Sequence, residues 1–166
     1  MAPARYLIQT VCTGNICRSP MAATVLATFL ADAALSGSAE VGSSGVSAEE
    51  DGNAIDRRAA AALRRRGYEP DLTHRAHRIT REEIEVTDLI LPATFNHYRT
   101  LTNRGAHPAR LKMMRQFDPA VAELEPGWEL DIEDPWYGTA NDFELALSQI
   151  EAACPGVVDY VREAVE

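Results

Sequence analysis

One ten-residue stretch, Val11-Cys12-Thr13-Gly14-Asn15-Ile16-Cys17-Arg18-Ser19-Pro20, constrains this chain more than any other. The β-prone run Tyr6, Leu7, Ile8 and Val11 leads into it, and Pro20 heads a segment with helical apolar spacing. The stretch therefore reads as a strand-to-helix turn. Such a turn is a ready anion site. Its loop N–H groups and those of the first helical turn have no intrahelical acceptor, and the positive end of the helix dipole lies behind them.

Cys12 opens the loop and Arg18 closes it, with five residues between them. That spacing lets the loop curl so that its N–H groups ring a tetrahedral oxyanion, with the sulfur below the central atom and the guanidinium gripping two oxygens. The same donors favour thiolate over thiol, which makes Cys12 a nucleophile aimed at phosphorus. Ser19 is placed to donate its hydroxyl hydrogen to the sulfur and so to improve the thiolate as a leaving group. An isolated Cys at a strand end is ordinarily a core thiol. Here Gly14, Asn15, Arg18, Ser19 and a helix start stand in register with it.

At 166 residues and 46% hydrophobic, the chain suffices for one domain with a full core, expected to span residues 1–166. It has no run of 18 apolar residues, and Met1 to Arg5 leads toward a strand, so neither membrane insertion nor a secretory leader is expected. Three Cys, two of them in the loop, make no disulfide framework, so a reducing cytoplasm is the expected setting. A net charge of −9 argues against nucleic acid as a partner. It fits a small anionic group presented on a larger molecule.

Along the chain, apolar doublets from Ala22 to Ala34 predict a helix over Ser19–Leu35, ended by Ser36-Gly37-Ser38. A short strand is expected over Glu40–Ser44. A second helix buries Ile55, Ala59, Ala62 and Leu63 and ends at Gly67. Arg57, Arg58, Arg64, Arg65 and Arg66 are expected to form its solvated face. Thr80 to Glu83 is a capping box, Asp88–Leu91 a buried strand, and Thr94 or Asn96 caps a helix that stops at Gly105. Leu111–Met114 reads as a fourth strand. A last helix, opening with Asn141-Asp142, carries Cys154 on its core stripe, with Pro155-Gly156 marking a kink or break. This alternation predicts an α/β domain, a four-stranded parallel sheet with helices on both faces, with ligands beyond the carboxyl ends of the strands.

Attack by a thiolate on a phosphate ester expels an alkoxide or phenolate, so the site needs an acid. The long loop 118–140 supplies the candidates Asp118, Asp131, Glu133 and Asp134, and Asp134 is followed directly by Pro135-Trp136-Tyr137-Gly138. Trp136 and Tyr137 read equally well as walls for a flat substrate group or as rings packing the loop onto the body.

The Cys12-to-Ala22 loop, Asp134-Pro135-Trp136-Tyr137-Gly138 and Asp142-Phe143-Glu144 strongly resemble the low-molecular-weight protein tyrosine phosphatases of the bacterial branch. Val41 to Gly45, Gly67-Tyr68, His74-Arg75-Ala76 and Phe117-Asp118-Pro119 extend the resemblance over nearly the whole length. The order of motifs, nucleophile first and Asp-Pro last, is the reverse of that in the larger tyrosine phosphatases. The resemblance implies a Rossmann- or flavodoxin-like fold and hydrolysis of protein phosphotyrosine and aryl phosphates through a cysteinyl-phosphate. Cys12 would be the nucleophile, Arg18 the clamp and Asp134 the general acid and later base. Thr13, Gly14, Asn15, Ile16 and Cys17 would bind phosphate, with Asn15, Ser19, Ser43 and His74 holding the loop. Cys17 matches a position that in relatives can form a reversible disulfide with the nucleophile, although a small loop residue is an equally good reading of it.

The family needs no metal or cofactor, and His74 with His77 lacks a clear third ligand. The implied partners are phosphotyrosine proteins, either a tyrosine kinase of the same cell or a host protein, met by a monomer. Two departures stand out. Glu49 replaces a common aromatic, so Glu49 and Glu50 would place negative charge on a cleft wall and disfavour acidic neighbours of the phosphotyrosine. Thr94 stands where the family usually has an acidic residue before the fourth helix. An arsenate reductase drawing on a small thiol shares the loop, and a phosphotyrosine-binding module is a further alternative. Ile16-Cys17, Pro20 and the Asp134 loop favour the phosphatase.

Overall fold

A computed structural model describes residues 4–166; Met1–Pro3, the start of the segment expected to lead into the first strand, lie outside the described residues. Strand β1 (Tyr6–Cys12) is central, with β2 (Ala39–Gly45) and β3 (Leu89–Pro92) paired parallel on its two edges. Side chains alternate across the sheet with a period of two. Ile8 and Cys12 enter the larger core, formed with helices α1 (Arg18–Asp32), α2 (Arg57–Arg65) and α5 (Ala140–Val165). Val11 points the other way, into a smaller core with Ile84 of α3 (Arg81–Val86) and Leu101 of α4 (Phe95–Asn103). Both faces are thus covered, as a parallel sheet requires. Burying Leu89, Ile90 and Leu91 nearly completely contributes roughly 1.5–3 kcal/mol for each side chain.

The expected fourth strand is not formed, and the sheet has three strands. Leu111 makes a single bridge to Ile90, through Lys112 N–H to the Ile90 carbonyl at 3.1 Å. The next amide, on Met113, donates to Gln116 Oε1 at 2.7 Å, and that side-chain cap turns the chain into a short 3₁₀ helix over Met114–Phe117. Met113 and Met114 are buried as expected of a core strand, but in a turn.

Helix α1 ends three residues before the expected Leu35. Ala34 takes a left-handed conformation (φ 61°), and Leu35 N–H donates back to the Leu30 carbonyl at 2.8 Å. This is a Schellman closure built on alanine, so Ser36-Gly37-Ser38 lies beyond the end. Helix α2 closes the same way at Gly67 (φ 85°), as its sequence predicts. The Thr80–Glu83 capping box is present, and Thr94 rather than Asn96 caps α4. Helix α5 starts at Ala140, with Thr139 N–H donating to Asp142 Oδ2 at 2.6 Å, so Thr139 takes the place expected of Asn141. It runs through Pro155 without a break, and Cys154 is fully buried on its inner face.

The basic face of α2 is only partly solvated. Arg65 and Arg66 pair with Glu144 at 2.8 and 3.0 Å, and Arg66 also reaches Glu151. These pairs fasten α2 to α5. Arg58 turns toward the site described below.

Candidate active site

The loop leaves the carboxyl end of central β1 and enters α1 at Arg18. Its carbonyls point outward to partners. Those of Cys12 and Thr13 accept from Val46 and Ser47 N–H at 2.9 and 3.1 Å, and that of Ile16 accepts from Asp56 N–H at 2.9 Å. His74 Nε2 donates to the Asn15 carbonyl at 2.7 Å. Among the described residues, no protein acceptor takes the N–H groups of Thr13 to Cys17. A peptide whose carbonyl faces out turns its N–H in, so these donors are available to a bound anion.

Asn15 makes that geometry possible. It is in the left-handed region (φ 63°), which costs an L-residue roughly 1–2 kcal/mol. The buried side chain offsets this cost with three bonds: Nδ2 donates to Ser19 Oγ (2.8 Å) and Ser43 Oγ (3.0 Å), and Oδ1 accepts from His77 N–H (3.0 Å). Ser19 Oγ lies 3.0 Å from Cys12 Sγ. Since the amide of Asn15 can only donate, the Ser19 oxygen accepts there and its own hydrogen is left for the sulfur. Gly45 lets β2 approach the loop, because a Cβ there would stand 2.4 Å from the Thr13 carbonyl oxygen.

The two loop thiols differ. Burial, then the neighbouring Asp56, Cys12 and Asp134, pushes the pKa of Cys17 up, so Cys17 stays a thiol at neutral pH. Burial likewise raises that of Cys154. Both thiols and Cys12 are free.

Arg18 is 4% exposed. One of its guanidinium nitrogens donates to the Ile132 carbonyl at 2.9 Å, and the other lies 3.6 Å from Asp134 Oδ2. Ile132 is itself held by its N–H to the Ala93 carbonyl at 2.9 Å, just beyond β3. Of the four acidic candidates, Asp134 faces the loop. Asp118 is buried and caps Ala120, while Asp131 accepts from Phe95 N–H at the start of α4 (2.7 Å). Asp131 and Glu133 line a neighbouring hollow.

A cleft of about 180 Å³ brings together Cys12, Thr13, Gly14, Ile16, Cys17, Arg18, Asp134 and the walls expected from sequence: Glu49, Glu50, Trp136 and Tyr137. Glu50 leans on Gly14, where an added Cβ would meet its Cγ at 3.0 Å. Tyr137 is 88% exposed. Trp136 lines the cleft and packs on Arg58, whose guanidinium lies 4.9 Å from the ring centre. Arg58 also donates to the Trp136 carbonyl (3.0 Å) and pairs with Asp56 (3.2 Å), so it joins the acid-bearing segment to α2. Among the described residues no three His, Cys, Asp or Glu side chains gather as a metal site, and no helix is long and apolar enough to cross a membrane.

Sequence reasoning did not single out Arg58 or His97. His97 is buried on α4, with Nε2 2.8 Å from Thr13 Oγ1. Its only sequence signal is its place three residues after the Thr94 cap.

The site is thus a loop carrying Cys12 and a ring of free N–H groups at the end of central β1, facing the Asp134 carboxylate. The family model for low molecular weight phosphotyrosine protein phosphatase matches residues 7–166, so the chain belongs to that family. It is 42% identical over 156 residues to low molecular weight protein-tyrosine phosphatase A of Mycobacterium tuberculosis, covering 94% of this chain and 91% of that one. A low molecular weight protein-tyrosine-phosphatase of Streptomyces coelicolor is 39% identical over 166 residues, with 97% and 96% covered. In structure the chain resembles a protein tyrosine phosphatase from Entamoeba histolytica, with a TM-score of 0.85 over 95% of this chain and 97% of that one at 23% identity.

Proposed function

We propose that the protein hydrolyses phosphotyrosine on proteins through a cysteinyl-phosphate. The observation that carries this reading is that Cys12, Arg18 and Asp134 share one cleft, with Arg18 3.6 Å from Asp134. The loop N–H groups and Arg18 hold three phosphoryl oxygens, and Cys12 Sγ attacks phosphorus from below. As the S–P bond forms and the ester P–O bond breaks, Asp134 gives its proton to the departing phenol oxygen. Water then attacks phosphorus, Asp134 takes its proton, and the S–P bond breaks to free phosphate. The Ser19 hydroxyl stabilises the departing thiolate.

Glu49 and Glu50 on the cleft wall favour substrates with neutral or basic residues beside the phosphotyrosine. The substrate is a tyrosine-phosphorylated protein, such as a kinase of the same cell or a host protein, met by a cytoplasmic monomer. The test is steady-state hydrolysis of para-nitrophenyl phosphate and of phosphotyrosine and phosphoserine peptides under reducing conditions. Aryl-selective turnover is expected, and Cys12→Ser should abolish it while phosphate still binds. Turnover by Cys12→Ser at a near-normal rate would end this reading. Asp134→Asn should cost about 100-fold with poor leaving groups and much less with acidic phenols. An equal loss across both would move the acid elsewhere.

A further inference from the structure

His97 and Thr13 form a contact that the mechanism above does not use. Thr13 lines the cleft and also the neighbouring hollow of about 350 Å³, which His97, Thr94 and Asn96 help to wall. Among the described residues the Thr13 hydroxyl has one partner, His97 Nε2. The direction of that bond follows from the other side of the ring. Thr94 N–H donates to His97 Nδ1 at 3.2 Å, and a backbone N–H can only donate, so Nδ1 presents a lone pair. The ring proton of neutral His97 is therefore on Nε2, and His97 donates to Thr13 Oγ1. An oxygen occupied as an acceptor keeps its own hydrogen for a second partner, and Thr13 borders the cleft.

We propose that His97 is a positioning residue that fixes the Thr13 hydroxyl as a hydrogen-bond donor to an oxygen of the anion bound in the cleft. This rests on the reading of the cleft as a phosphate-ester site. The ring keeps the neutral state the relay requires, since burial, with Arg18 adding to it, pulls its pKa down to about 3. Thr94 contributes twice: its N–H selects the His97 tautomer, and its hydroxyl accepts from His97 N–H at 3.2 Å to cap α4. The relay thus ties the start of α4 to the wall of the anion loop.

Two substitutions separate this role from a structural one. In His97→Asn the side-chain oxygen can still accept from Thr94 N–H, but the amide is too short to reach Thr13. In His97→Gln the amide reaches the position of Nε2 and gives up the cap. The probe is inorganic phosphate, titrated calorimetrically, alongside KM and kcat for para-nitrophenyl phosphate. Thr13→Val and His97→Asn should each weaken phosphate about tenfold and raise KM about as much, with a smaller change in kcat. Thr13→Ser and His97→Gln should stay within about twofold of wild type. Combining Thr13→Val with His97→Asn should cost no more than Thr13→Val alone, because the second change acts only through the hydroxyl. Losses that multiply in the double variant, an unchanged phosphate affinity in Thr13→Val, or a His97→Asn that binds better than His97→Gln would each overturn the relay. Wild-type protein that binds phosphate without hydrolysing the ester would overturn the phosphatase reading, and the phosphate titrations would still decide the relay.

Discussion

From Cys12 to Ile16, four backbone carbonyls are anchored to three separate parts of the chain: Val46 with Ser47, Asp56, and His74. From Asp134 to Gly138 the anchors are few. A 3₁₀ turn over Pro135–Tyr137 is closed by Gly138 N–H on the Pro135 carbonyl, Asp134 caps Trp136, and Arg58 holds the turn from below. On the proposed mechanism the first loop must present several N–H groups to one small anion, and a misplacement of about 1 Å would weaken all of them together. On the same mechanism the second has one carboxyl to deliver and a phosphoprotein to admit, which suits a lightly tethered, exposed segment. Cross-bracing goes where many donors converge.

Asn15 is where the two loops differ most in what a single side chain holds. Asn15→Ala removes three bonds and keeps the left-handed cost, so kcat should fall about 100-fold and stability by roughly 3 kcal/mol. Asn15→Gly removes the bonds but relieves φ. If bracing is what matters, Gly should be nearly as slow as Ala in steady-state assays; a glycine variant as fast as wild type would show that φ alone was at stake.

A smaller effect is expected from acid, and it falls on the first loop. The pKa of His97 lies near 3 in the folded chain against an ordinary 6.5. As pH falls through 6.5, the unfolded chain takes up a proton that the folded chain refuses, so stability drops with pH, fading out only near pH 3. Between pH 6.5 and 5 the loss should approach about 2 kcal/mol. Urea midpoints measured against pH should show it, and His97→Gln should flatten that limb; an equal slope in the variant would assign the acid sensitivity elsewhere.

The smallest effect belongs to the second loop. Arg58→Met keeps the packing against Trp136 but loses the charge and its hydrogen bonds, so turnover of poor leaving groups should fall about tenfold. Phosphate affinity should stay put and the unfolding free energy should move by less than about 1 kcal/mol, since the pairing is at the surface. A matching loss of phosphate affinity would mean that the two loops are mechanically one.

What could be read in advance follows the same division. The anion loop is contiguous, so Cys12, Arg18 and Ser19 announce themselves by spacing, and Asp134 by its neighbours Pro135 to Gly138. His97 and Arg58 act through contacts across 84 and 78 positions, which no local pattern encodes. The fourth strand was lost for a local reason instead. Leu111–Met114 has the burial of a strand, but Gln116 caps the Met113 amide and starts a 3₁₀ turn at Met114, the residue whose N–H would have come next in the ladder after Lys112. Ala34 in a left-handed cap likewise hid behind the more obvious Gly37.

The position of β1 in the middle of the sheet has a consequence for synthesis. Cys12 leaves the ribosome ahead of the segments that brace its loop, and β1 gains its second neighbour only with Leu89–Pro92. The rear supports His74 and His77 arrive shortly before that strand, and the carbonyl that steadies Arg18 arrives with Ile132. The growing chain therefore carries the sulfur with only part of its bracing until Ile132 has been made. The cleft is complete only once the segment bearing Ile132 and Asp134 has folded back on the Cys12 loop.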